Sequence, residues 1–132
     1  MPMDMAVLPP GSPVFSKARD NGVFKLGDWG TQVLDRFAPQ PGEPDIIKHR
    51  VSPFYATKLE PLLRAQGIRR LVLSGVSTNG VVSAAVREGH DRDYECVLLE
   101  DCCAGATADE HDHALSGLRR FAQVTSAADV TF

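Results

Sequence analysis

The sequence predicts an α/β fold, a Rossmann-like parallel sheet flanked by helices, on three observations. Leu71 to Glu88, LVLSGVSTNGVVSAAVRE, passes from the apolar run Leu71-Val72-Leu73 through a small-residue turn at Ser74-Gly75. A helical pattern follows, with Val81, Val82, Ala85 and Val86 on one side, so the stretch reads as strand, tight turn and helix. Strand-like and helix-like patterns alternate after residue 45, which is the signature of parallel βαβ units with right-handed crossovers. Two T-x-x-E boxes, Thr57 with Glu60 and Thr107 with Glu110, mark helix starts. The turn after Leu73 falls at the carboxyl end of a parallel strand, where open sheets bind ligands. The N–H groups of Thr78, Asn79 and Gly80 suit an oxyanion or a carboxylate there. An ordinary βα connection without a ligand is the competing reading.

Met1 to Asn21 is rich in Pro, Gly and Ser and carries no sustained period, so it reads as loop. Pro9, Pro10, Gly11 and Pro13 argue against a helix, and Met3, Met5, Val7 and Leu8 could make at most a short edge strand. Leu26 to Phe37 predicts a short amphipathic helix with Trp29, Val33, Leu34 and Phe37 on one face. Pro39, Pro41, Gly42 and Pro44 end it, and Asp45-Ile46-Ile47-Lys48 predicts a strand. Leu59, Leu62 and Leu63 predict a helix over about Lys58 to Gln66, closed by Gly67. Tyr94 to Leu99 is a buried strand running into Glu100-Asp101. The helix opened by Thr107 shares a face among Ala114, Leu115, Leu118 and Phe121, and Gln123 to Ser126 is a last short strand, making four in all.

The 132 residues fit one domain, 1–132, whose first 21 residues form a loop-like segment. Fourteen basic and 17 acidic side chains are interspersed, for a net charge of −3, so neither nucleic acid nor an anionic membrane is expected as a partner. No apolar run has the length of a membrane span, and MPMDMAVLPPG lacks the basic and apolar regions of a signal peptide. Cys96, Cys102 and Cys103 make no disulfide framework, which points to a reducing, cytoplasmic setting. No cofactor or metal is expected. Adjacent Cys102 and Cys103 lack the C-x-x-C spacing and read as packing residues, as does Asp101 at its strand end. His111 and His113 stand i, i+2 and read as surface or packing residues; Ser77, Thr78 and Ser83 have no His base at a recognisable spacing.

Several short motifs together carry a resemblance. They are Gly42-Glu43-Pro44 before Ile46-Ile47-Lys48, Ser52-Pro53-Phe54, Thr57-x-Leu59, Leu71 to Asn79 with Gly75-Val76-Ser77-Thr78, and Val97-Leu98-Leu99-x-Asp101. In this order they resemble the isochorismatase-like hydrolases, the cysteine-hydrolase superfamily that includes nicotinamidases and N-carbamoyl amidohydrolases. The resemblance implies a catalytic triad at the carboxyl ends of parallel strands. An Asp follows the first strand, a Lys follows the third, and a Cys opens the helix after G-V-x-T, where the helix terminus and the lysine lower its pKa. Lys48 matches the lysine, while Val81 stands where the Cys belongs. The strand ending in Asp-x-Gln has no counterpart; Asp4-Met5 is a superficial echo of it. The resemblance further implies a small-molecule site that places Lys48 beside Phe54, Val76, Ser77, Thr78, Asn79 and Gly80, and a non-proline cis peptide near Val76-Ser77.

On this reading the chain is an N-terminally truncated member that lacks the family's first two strands. It binds a small molecule and is inactive as given. The alternative is the family's cysteine-free chemistry in a full-length form, hydrolysis of a vinyl ether by an acid and water. Family members associate through helices flanking the site. Open strand edges beside Ile46, Ile47, Leu71 and Leu73 add a physical reason to expect a homo-oligomer.

Overall fold

The computed structural model describes residues 11–131, in two compact units, Met1–Arg50 and Val51–Phe132. Asp4 and the apolar residues before Pro9 lie outside the described residues.

In the first unit, α1 (Pro13–Asp20) replaces the loop expected there. Pro13 stands in its first turn, where a missing N–H breaks no helical bond and a fixed φ favours the helix. Phe15 and Ala18 are its buried residues, and the Arg50 guanidinium lies 5.6 Å from the centre of the Phe15 ring. Leu26 to Phe37 is not the expected amphipathic helix. Two 3₁₀ turns, Trp29–Thr31 and Asp35–Phe37, are separated by extended backbone at Gln32 and Leu34. The Thr31 hydroxyl lies within hydrogen-bonding distance of the Asp28 and Lys25 carbonyls, holding the first turn locally. Trp29 is 85% and Phe37 65% exposed, so the apolar spacing serves no buried face. Asp45 to Lys48 is likewise not a strand, and the chain there has no ladder partner among the described residues. Pro44, just before it, has no N–H to give a ladder.

The second unit holds α2 (Leu59–Ala65), β1 (Arg70–Val76), α3 (Ser83–His90), β2 (Glu95–Ala104), α4 (Ala108–Leu118) and β3 (Gln123–Thr125). The strands make a parallel sheet in the order β1-β2-β3, three strands where the sequence reading gives four. Leu71 pairs with Cys96 and Leu73 with Leu98, and a register shift then brings Gly75 opposite Cys103 and Val76 opposite Ala104. β2 therefore continues past the Leu99 at which the sequence pattern ends. No helix among the described residues is long and apolar enough to cross a membrane.

Alternation along the strands sends Leu71, Leu73, Cys96 and Leu98 to one face of the sheet. Val82, Val86, Leu98, Leu115 and Leu118 form the main buried cluster, and Phe54, Tyr94 and Cys96 a second, against which Leu59 and Leu63 of α2 pack. α2 ends at Gly67, where φ is +68°. The N–H groups of Gly67 and Ile68 bond to the Arg64 and Leu63 carbonyls, a Schellman closure that matches the expected end. Its start departs from a capping box. Thr57 Oγ1 accepts from Leu59 N, and Glu60 instead pairs with Arg92 at 2.9 Å. At α4 the cap forms as expected, Thr107 Oγ1 accepting from Glu110 N at 3.2 Å.

Burial pushes the Cys96 thiol up, and burial raises Cys103 as well. A folded thiol that keeps its proton longer binds more protons than the unfolded chain above the ordinary thiol pKa of about 8.5, so stability falls as pH rises through that range. Burial lowers Lys48, whose ammonium loses its proton earlier in the folded chain, and its contribution runs the other way below about 10.4. Cys96→Ala separates the two. Between pH 7 and 9.5 the wild type is expected to lose more stability than this variant in parallel urea titrations, and equal losses would refute the assignment to Cys96.

Candidate active site

The site is assembled where β1 ends. Gly75 has a φ of +134°, a region that favours glycine, and the Val76-Ser77 peptide is cis, as the resemblance implies. From Ser77 the chain winds through a single wide π-helical turn, Thr78–Val82, before α3 begins. Val82 N donates to Ser77 O at 3.3 Å and Gly80 N to the same carbonyl at 3.1 Å. The Gly80 N–H, one of the three expected to face an anion, is therefore engaged within the turn. A Cβ at Gly80 would lie 2.6 Å from Ser77 Oγ, so any larger residue there obliges the Ser77 hydroxyl to turn away.

The side chains of the turn divide between solvent and core. Val76 is 71% exposed, Asn79 is exposed, and Ser77 and Gly80 are intermediate. Thr78 is wholly buried, with Oγ1 2.8 Å from His111 Nδ1 and its carbonyl accepting from Ser83 Oγ at 2.8 Å. Asn79 Nδ2 donates to Glu110 Oε2 at 3.2 Å. Val81 packs against the cluster of Val82, Val86 and Leu98, an apolar side chain at the position of the resemblance's nucleophile.

Phe54 is 6% exposed and stacks on Tyr94 with ring centres 6.1 Å apart, beneath the Arg92 guanidinium at 4.9 Å. Lys48 belongs to the first unit. It is half-buried there, its Nζ donates to the Arg50 carbonyl at 2.9 Å, and burial lowers its pKa. Asp101 accepts from Ala127 N at 2.9 and 3.1 Å, a structural use consistent with its strand-end reading. Cys102 is exposed, which corrects its reading as a packing residue, whereas Cys103 packs against the main cluster. No three His, Cys, Asp or Glu side chains among the described residues stand close enough together to hold a metal ion.

His111 is the residue that sequence reasoning missed. Its i, i+2 spacing from His113 suggested surface or packing, yet it shares the inward face of α4 with Leu115 and Leu118 at i, i+4 and i+7. That phase was present in the sequence once Thr107 fixed the helix start. A shallow, open groove of about 270 Å³ lies beside it at the end of β2, lined by Cys103, Gly105, Thr107 and His111 among others.

Comparison with known proteins gives this geometry its context. The family model described as the isochorismatase domain matches residues 5–129. An isochorismatase-like hydrolase from Alkaliphilus metalliredigens is 31% identical with a TM-score of 0.75, over 77% of this chain and 57% of that one. The chain thus spans little more than half the length of that protein. N-carbamoylsarcosine amidase from Thermoplasma acidophilum is 28% identical with a TM-score of 0.75, over 94% of this chain and 70% of that one. A cysteine hydrolase from Pseudomonas syringae pv. phaseolicola shares the fold with a TM-score of 0.85 at 21% identity, over 97% of this chain and 66% of its own.

Proposed function

The chain belongs to the isochorismatase family, and from that premise we propose that it binds a small molecule at the turn Val76 to Gly80 without hydrolysing it. One observation supports this reading against thiol chemistry, the Val81 side chain packed against the core at the place of the family nucleophile, and the turnover test below decides against the cysteine-free alternative. An isopropyl group has neither a lone pair to attack a carbonyl nor a proton to exchange, so no thioester-like intermediate forms there. By the resemblance, Lys48 is the charged group for the ligand's carboxylate or carbonyl oxygen. Phe54 packs with Tyr94 and Cys96 against Leu71, at the start of β1, and Ser77, Thr78, Asn79 and Gly80 give the site its shape and polar groups. The whole of residues 1–132 acts as a single domain, in the cytoplasm, with neither metal nor cofactor.

The same reading includes self-association. Among the described residues β1 has only β2 beside it, and Val72 and Val76 along it are 36% and 71% exposed. Sedimentation at micromolar concentration is expected to give a homo-oligomer, and a single monomeric species would refute this part.

Binding is tested by calorimetric titration with N-carbamoylsarcosine and isochorismate, each with product analysis. The expected result is saturable binding of one of them without product, weakened at least about tenfold, or about 1.4 kcal/mol, by Lys48→Ala. Turnover that Lys48→Ala abolishes would overturn the non-catalytic reading in favour of cysteine-free hydrolysis. Absence of binding to both would overturn the choice of ligand class.

A further inference from the structure

We propose that His111 is a positioning residue for the site turn, and that α4 fixes the turn's geometry through His111 and Glu110. The relevance of that geometry to a ligand rests on the reading above, whereas the clamp itself is a property of the free protein. Two consecutive residues of the turn meet two consecutive residues of α4. Thr78 Oγ1 stands 2.8 Å from His111 Nδ1, and Asn79 Nδ2 donates to Glu110 Oε2 at 3.2 Å.

Thr78 is wholly beyond reach of solvent, so its hydroxyl needs a protein partner, and His111 is that partner. The turn is a single wide turn of a rare kind, closed by a long 3.3 Å bond from Val82 N to Ser77 O. Ser83 Oγ fixes the Thr78 carbonyl, and His111 fixes the hydroxyl of the same residue.

The clamp is itself anchored. Thr107 caps α4 through the N–H of Glu110. Gly105 lets the β2–α4 connection approach closely, since a Cβ there would stand 3.0 Å from His111 N and 3.1 Å from Thr107 O. His111 and Glu110 therefore sit on the rigid first turn of an eleven-residue helix, and they transmit that rigidity to Thr78 and Asn79. A ligand that meets the turn finds its backbone already arranged and loses less freedom on binding.

Amide hydrogen exchange of the full chain tests the clamp without any ligand. In His111→Ala the amides of residues 78–82 are expected to exchange about tenfold faster, the scale of one lost buried hydrogen bond. The β2 amides of Val97 to Leu99 should be unchanged. His111→Asn, which keeps a polar nitrogen or oxygen near the place of Nδ1, should restore most of the protection, and His113→Ala should leave it intact. Unchanged exchange at the turn in His111→Ala would overturn the proposal. So would equal acceleration throughout the sheet, or a failure of Asn to restore what Ala loses, because either outcome makes His111 a packing residue. If the turn loosens as expected in a protein that binds neither N-carbamoylsarcosine nor isochorismate, the clamp stands and the choice of ligand falls.

Discussion

Leu98→Ala is expected to lower the free energy of unfolding by about 3 kcal/mol, within the range of about 2–5 for truncating a buried leucine. Leu98 is wholly buried at the middle of the central strand, paired with Leu73 on one side and Val124 on the other. Its side chain joins Val82 of the site turn and Val86 of α3 to Leu115 and Leu118 of α4, so its loss opens a cavity that neither helix alone can fill. The parallel strands hold the backbone at fixed spacing, which limits collapse into the space. The measurement is the urea midpoint at unchanged m-value. Val72→Ala, at a residue 36% exposed, is the control and should cost less than about 1 kcal/mol. Equal shifts for the two variants would show that the core does not lie where Leu98 places it.

Gly89→Leu is expected to cost about 2–3 kcal/mol by the opposite mechanism, overpacking. Gly89 is buried in the last turn of α3, where even a Cβ would stand 3.0 Å from Cys96 Sγ, 3.5 Å from Leu71 Cδ1 and 3.9 Å from Phe54 Cε2. Two strands and the Phe54 ring therefore converge on a missing side chain. The Gly89 carbonyl also accepts from Arg92 N and Tyr94 N, so a shift of α3 would disturb the turn into β2. Cys96→Ala in the same chain removes the nearest atom and should recover part of the loss. The two substitutions are thus expected to couple by about 1 kcal/mol in a double-mutant cycle. Additive effects would show that the crowding comes from elsewhere.

These two sites also show which parts of the fold were legible. Leu71 to Val86 could be read because both of its signals are local, an apolar run for the strand and a one-sided pattern for the helix. Gly67 and Thr107 could be read because caps are short-range chemistry. Leu26 to Phe37 carries an equally regular apolar spacing and fails, since a pattern stabilises a helix only when a surface covers its face, and Trp29 and Phe37 remain exposed. Asp45 to Lys48 fails for a related reason. A strand is defined by its neighbour, which four residues cannot specify. Pro13 misled because its usual role as a helix breaker reverses in the first turn. At the site, the turn and the substitution at Val81 were visible as motif. The clamp was not, because it joins residues 33 positions apart.

The order of the strands in space is their order along the chain, with partners about 25 residues apart at both junctions, a modest loop to close for a parallel pair. During synthesis, which runs from the amino end, β1 is made before β2 and β2 before β3, so of these three strands β3 joins at the edge that β2 presents. Among the described strands none must be inserted between two others already paired. Among the described strands the sheet can therefore grow in chain order, one crossover at a time, and the strand that carries the site turn is the first of the three. His111 follows β2 in the chain, so the turn can acquire its final shape only once the second crossover has been made.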